Sequence, residues 1–251
     1  MKNENLYRYI LGIADSSLIL GQRLGELCGH GPSLETDIAL TNISLDLIGQ
    51  TRSYYQYAAK LIGDGKSEDD IAFLRIEREY LNVLLVEQPN THFGYVMARQ
   101  FLFDVYHLML LSELKNSSDE TLAAIAAKGI KEVSYHKRFS GDWIKRLGDG
   151  TQESHDKMQD AINDLWRYTD ELFTMTEADA EMSRNNSGVD VTRFKEAYYE
   201  EVSRLLREAT LEVPERKYFQ YGGKKGVHTE HMGYLLADLQ YMQRAYPNMK
   251  W

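Results

Sequence analysis

A single cysteine, Cys28, in a chain of 251 residues cannot close an internal disulfide or build a thiolate cluster. Cysteine-based zinc or iron–sulfur chemistry is thereby excluded from this chain, and a reducing cytoplasm is the compartment expected. Only four prolines occur, Pro32, Pro89, Pro214 and Pro247, so long stretches lack the residue that helices tolerate worst. No apolar run approaches the ~18 residues needed to span a bilayer, and the opening MKNENLYRYI has no signal-peptide core, so no membrane association is expected. Positive charge is also short: 29 Lys and Arg face 38 Asp and Glu, for a net charge of −9. A surface of that sign repels phosphate backbones and argues against a nucleic-acid partner; no basic run is longer than Lys224-Lys225.

What the chain does have is apolar residues, 43% of the total, recurring at helical spacing almost throughout, with β-branched alternation nearly absent. The pattern predicts long helices over about 6–27, 34–61, 92–114 and 120–146. Shorter ones are predicted over 71–85, 152–174, 192–210 and 230–245, with 213–227 irregular. Gly63-Asp64-Gly65 and Gly148-Asp149-Gly150 punctuate, and Asn116-Ser117-Ser118-Asp119 offers a helix cap. Long helices joined by short turns imply antiparallel neighbours, so the expectation is all-α: one domain, residues 1–251, an antiparallel four-helix bundle with flanking helices.

Each long helix carries an acidic residue on a face it shares with apolar ones. Asp15 lies near Leu11, Leu18 and Ile19. Asp46 lies among Ala39, Asn42, Ile43, Gly49 and Gln50. Asp104 lies on the stripe Met97, Gln100, Phe101, His107 and Leu111, and Glu132 on Ile125, Gly129, Tyr135, His136 and Phe139. A carboxylate amid large apolar groups is costly to bury unless it is paired, protonated or ligating. Carboxylate-bridged diiron bundles use four such helices, two of them adding a histidine at Glu-x-x-His spacing. Here the match is partial. Tyr135 stands where Glu132 needs its histidine, with His136 one position late, and Gly49 stands where Asp46 needs one. Asp104-x-x-His107 has ligand spacing on the helix that normally gives a lone carboxylate. A lone Asp or His on such a face is more often a hydrogen-bonded structural group than a ligand.

Other motifs are weaker. His228-Thr229-Glu230-His231 lacks the metalloprotease spacing, and a helix start explains it more simply. Gly222-Gly223-Lys224-Lys225-Gly226 before a helix could hold an anion, but it lacks the P-loop length and ending; a structural turn or a partner-contact loop is favoured. Cys28 reads as a small core residue. The 17 tyrosines mildly favour a partner-binding surface.

Several stretches in order carry a resemblance. They are Leu18-Ile-Leu-Gly-Gln-Arg-Leu-Gly-Glu26, Asp37 to Arg52 with Asp-Leu-Ile-Gly-Gln-Thr-Arg, and Leu85-Val-Glu-Gln-Pro-Asn90. To these are added Lys131-Glu-Val-Ser-Tyr-His-Lys-Arg-Phe-Ser140 and the tail from Gly222 to His231, closing on Trp251. On these residues the chain resembles, nearly end to end, the C subunits of bacterial ring-1,2-phenylacetyl-CoA epoxidases, the multicomponent oxygenases of phenylacetate degradation. The resemblance implies a ferritin-like fold and a non-catalytic, structural subunit. Its partners would be a homologous catalytic A subunit that holds the diiron site and binds phenylacetyl-CoA, a small B subunit, and a reductase with flavin and iron–sulfur groups. A homodimer is a further possibility for the isolated chain. On this reading the chain has no cofactor and no catalytic residue of its own. Asp46, Asp104, Glu132 and His136 would mark a remnant diiron site that binds no iron. Two other readings stay open from the residues: an active diiron oxygenase or oxidase using those four positions and perhaps His107, and a stand-alone helical binding module.

Overall fold

In the computed structural model the described residues are 2–247 and 249; Trp251 lies outside them. Four long helices make the frame: α1 Lys2–Gly25, α2 Leu34–Ile62, α4 Phe93–Leu114 and α5 Glu120–Gly148. Five shorter ones accompany them: α3 Glu68–Phe73, α6 Gln152–Leu165, α7 Glu177–Arg184, α8 Lys195–Glu208 and α9 Glu230–Ala245. No strand occurs among the described residues. None of the helices there is long and apolar enough to cross a membrane.

Local chemistry sets the helix ends. Ser33 accepts from the Thr36 amide to open α2, and Gly63, at φ 66°, closes it in the left-handed conformation that glycine tolerates. Asp119 accepts from the Thr121 and Leu122 amides to open α5. His92 opens α4 in the same way, its ring nitrogen accepting from the Tyr95 amide. Short turns make α1–α2 and α4–α5 antiparallel pairs, and the two pairs meet along α2 and α5. Helix α4 is buried on nearly every side from Gly94 to His107, because α6 and α8 cover its outer face. Helix α7 covers α1, while α9 packs on α3 and on the 77–87 segment. This is the ferritin-like bundle that the resemblance implies.

The crossover between the two pairs departs from expectation. In place of a helix over 71–85, α3 stops at Phe73, and the chain then runs largely extended through short 3₁₀ turns at Glu77–Glu79 and Leu84–Glu87. Tyr80 to Gln88 is nevertheless buried. Its amides find side chains rather than the preceding turn. The Leu81 amide donates to Asp15 (2.7 Å), Val83 to the Ser16 hydroxyl (3.3 Å), and Leu84 to Glu171 (2.7 Å). A short apolar run cannot be told from a buried helix by periodicity alone. Here acceptors elsewhere in the molecule decide.

The predicted helix over 152–174 ends at Leu165 and continues as two 3₁₀ turns, Trp166–Tyr168 and Asp170–Phe173. There the Thr169 hydroxyl donates to the Trp166 carbonyl (2.8 Å). Helix α7, in a stretch whose polarity gives no helical pattern, is short and opens with a Thr176–Asp179 capping box. Cys28, expected in the core, is exposed in the turn after α1.

Candidate functional site

Of the four acidic residues expected to face inward, Asp15 and Asp104 are fully buried, whereas Asp46 and Glu132 are only half-buried; Asp15 stands apart from the rest. Its carboxylate takes a two-pronged grip from the Arg75 guanidinium at 2.6 and 3.0 Å, the Tyr55 hydroxyl at 2.5 Å and the Leu81 amide. Arg75 lies over the Tyr80 ring, 4.1 Å from its centroid, and its Nε donates to the Ile71 carbonyl (2.7 Å). Every oxygen and nitrogen in this knot has a protein partner, so Asp15 is a structural anchor between α1 and the crossover. Arg75 comes from outside the long helices, where helical spacing gives no hint of it.

The other three acidic residues converge with the histidines between α2, α4 and α5. Asp46 Oδ2 lies 3.0 Å from His136 Nε2. The Gln50 amide donates to Glu132 at 2.8 Å, and it reaches α5 over Gly129, where a Cβ would stand 3.3 Å from the Gln50 carboxamide carbon. Asp104, fully buried, accepts from the Gln100 amide at 2.6 Å and the Ser140 hydroxyl at 2.8 Å. The sequence stripes contain Gln50 and Gln100 but give them no role. In the structure they are the donors that occupy the carboxylates.

Electrostatics follow from burial. Burial pushes the Asp104 carboxyl up to about 8, against the pull of the Ser140 and Gln100 hydrogen bonds. Burial thus favours the protonated form of Asp104. Burial pulls the His136 imidazole below its usual value, while the Asp46 bond and charge oppose it. His107 is pulled down to about 3 by burial and by the neighbouring His136, so it is neutral. Neither His107 nitrogen has a hydrogen-bond partner.

This donor set does not fit a dinuclear metal. Two ions need several ionised carboxylates with free lone pairs, plus imidazoles. Burial disfavours an ionised Asp104, which is held by the Gln100 amide and the Ser140 hydroxyl, and Glu132 is held by the Gln50 amide. Gly49 leaves no side chain at its position, and Tyr135 is partly exposed on the outside of α5. No group of three or more His, Cys, Asp or Glu among the described residues is arranged to hold a metal ion.

His228 and the 222–226 loop are engaged within the fold. His228 bridges the Glu87 carboxylate and the Tyr80 carbonyl, each at 3.0 Å, and Glu87 also accepts from the Thr229 amide at 2.6 Å. The helix starts where expected, with Thr229 just before α9, and His228 ties that start to the crossover. In the 222–226 loop, the Gly222 amide donates to Glu171 (2.7 Å), and Lys224 donates to the Leu172 and Thr174 carbonyls. A Cβ at Gly223 would stand 2.1 Å from the Asn82 carbonyl oxygen, so only glycine lets the loop come this close.

Comparison with known proteins agrees with this frame. A family model described as phenylacetic acid catabolic protein matches residues 1–251. The chain is 51% identical over 246 residues to the C subunit of 1,2-phenylacetyl-CoA epoxidase from Escherichia coli (strain K12), covering 98% of this chain and 99% of the relative. Matched from end to end by that model, this helical bundle belongs to the phenylacetic acid catabolic protein family.

Proposed function

We propose that this chain is the non-catalytic, structural subunit of a ring-1,2-phenylacetyl-CoA epoxidase of phenylacetate catabolism. It works in the cytoplasm as one domain, next to a catalytic partner that carries the diiron centre. A small third component and a flavin and iron–sulfur reductase complete the assembly. The observation that carries this reading is the occupation of Glu132 and Asp104 by Gln50, Gln100 and Ser140. These contacts turn a metal-binding arrangement into a hydrogen-bonded core, and Asp46, Asp104, Glu132 and His136 become its remnant. Similarity to a relative named as the C subunit of such an epoxidase supports the same reading.

The surface supports a partner. Leu34, Ile38 and Leu45 are exposed along one stripe of α2, at 72%, 51% and 60%. Apolar side chains aligned in water suit a protein interface. The frame of a rigid bundle there can order the helices of a neighbour that binds only when folded.

Co-expression with the catalytic partner tests the proposal. Omitting this chain is expected to cost that partner its solubility and turnover. Iron in the purified chain is expected to stay far below one ion per chain after anaerobic reconstitution. Stoichiometric iron together with turnover by this chain alone would sink the idea.

A further inference from the structure

An open groove of about 540 Å³ runs between α9 and the crossover at Ile76 and Glu77. Its α9 side is formed by Gly233, Ala237 and Tyr241, which are spaced by four residues and so stand in one row along the helix. Gly233 and Ala237 leave the backbone nearly bare, whereas Tyr241 projects from the same row, 60% exposed. Ile76, 58% exposed, is the facing wall. Large apolar side chains held in water beside a groove suit a protein partner.

The charges at the two ends of the groove say which partner. At the Gly233 end, the Glu77 carboxylate lies 3.5 Å from where a Gly233 Cβ would stand. At the other end is Arg244, held against the crossover by its hydrogen bond to the Arg75 carbonyl (2.9 Å). Neither Glu77 nor Arg244 is in an ion pair among the described residues. Gly233 and Arg244 are separated by three turns of helix, about 16 Å, so the groove carries an acid at one end and a base at the other.

Turned end for end, this surface is its own complement. With a two-fold axis passing Ala237, α9 of one protomer lies antiparallel on α9 of its partner. Tyr241 of each then sits over Gly233 of the other, and Arg244 of each comes opposite Glu77 of the other. Small residues in the row let the helices approach closely. Asp238, the charge nearest the axis, points about 100° round the helix from Ala237 and away from the contact.

We propose that this groove docks a second copy of the chain, α9 against α9, with a Glu77–Arg244 pair at each end. The face shares no residue with the α2 stripe, so the inference stands apart from the role of the chain as a structural subunit.

The test is sedimentation equilibrium of the purified full-length chain at low salt, up to hundreds of micromolar. A monomer–dimer equilibrium is expected, weakening as salt is added. Ala237→Arg puts a large cation on the axis at an exposed position, and is expected to leave a monomer with an unchanged melting temperature. Glu77→Arg and Arg244→Glu are each expected to weaken the dimer by about tenfold or more, because each sets like charges against one another at both ends. Mixing these two variants is expected to restore association at parental affinity, since both pairs of the heterodimer are again of opposite sign. A chain that stays monomeric throughout overturns the proposal. So does a dimer that survives Ala237→Arg, or two variants that fail to associate when mixed. Dispersal of the dimer by Ile38→Glu would move the contact to the α2 stripe and overturn it as well.

Discussion

Asp104 shows how a single carboxyl can be both buried and tolerated. Its folded-state value near 8 lies above the ordinary 3.8, so the folded chain holds a proton that the unfolded chain releases. Its contribution is fully present below the ordinary carboxylate value and is lost as pH rises through about 8. Asp104→Asn keeps the shape and stays neutral, so it removes that loss. Between pH of about 5 and about 9, the variant's melting temperature is expected to rise relative to the parent, by up to ~1.4 kcal/mol of stability per pH unit. A parallel pH profile for the two proteins would show that Asp104 is ionised in the fold. Asp15 is the opposite case. Asp15→Asn leaves the buried Arg75 charge without its partner and is expected to cost about 3 kcal/mol in denaturant unfolding. That Asp15 and Asp104 face inward is legible from helical spacing. That one pairs with arginine and the other holds a proton is not, because Arg75 lies outside the long helices and Ser140 lies on a different one.

Among the elements, those whose ends are written in local chemistry are the legible ones. Ser33 and Gly63 bracket α2, and Asp119 opens α5, each using groups within a few residues of the terminus. The crossover is illegible for the converse reason, since Asp15, Ser16 and Glu171 decide its conformation from other elements. The metal positions follow the same division. Gly49 and Tyr135 mark missing histidines by spacing alone, whereas the roles of Gln50 and Gln100 emerge only when α2, α4 and α5 come together. The crossover's attachment to α9 also carries a pH dependence. Burial opposes charge on His228, but the Glu87 bond and charge outweigh it and raise the imidazole above its usual value. The stabilisation is therefore present below the ordinary histidine value and lost as pH rises through the raised one. Limited proteolysis across residues 213–230 is expected to quicken from mildly acidic to mildly alkaline pH. Glu87→Gln is expected to flatten that dependence, and an unchanged profile in the variant would assign the effect elsewhere.

At the scale of the whole molecule, the buried carboxylates of Asp15, Glu87 and Asp104 are each turned toward donors inside the fold, while exposed apolar groups line one side of α2. Ile38→Glu and Leu45→Glu place charge on that stripe without touching the core. Each is expected to weaken association with a catalytic partner by about tenfold or more, measured by pull-down or calorimetry, with the melting temperature of the isolated chain unchanged. Full affinity in the double variant would move the interface to another face. The crossover has a consequence for how the molecule opens. The amides of Leu81, Val83 and Leu84 are bonded to side chains 66, 67 and 87 residues away in the chain. No local fraying can release them, because their acceptors sit in packed elements remote from the segment. Although they lie in a segment without a regular helix, these three amides should exchange with solvent deuterium as slowly as the centre of α4, and only when the bundle comes apart as a unit.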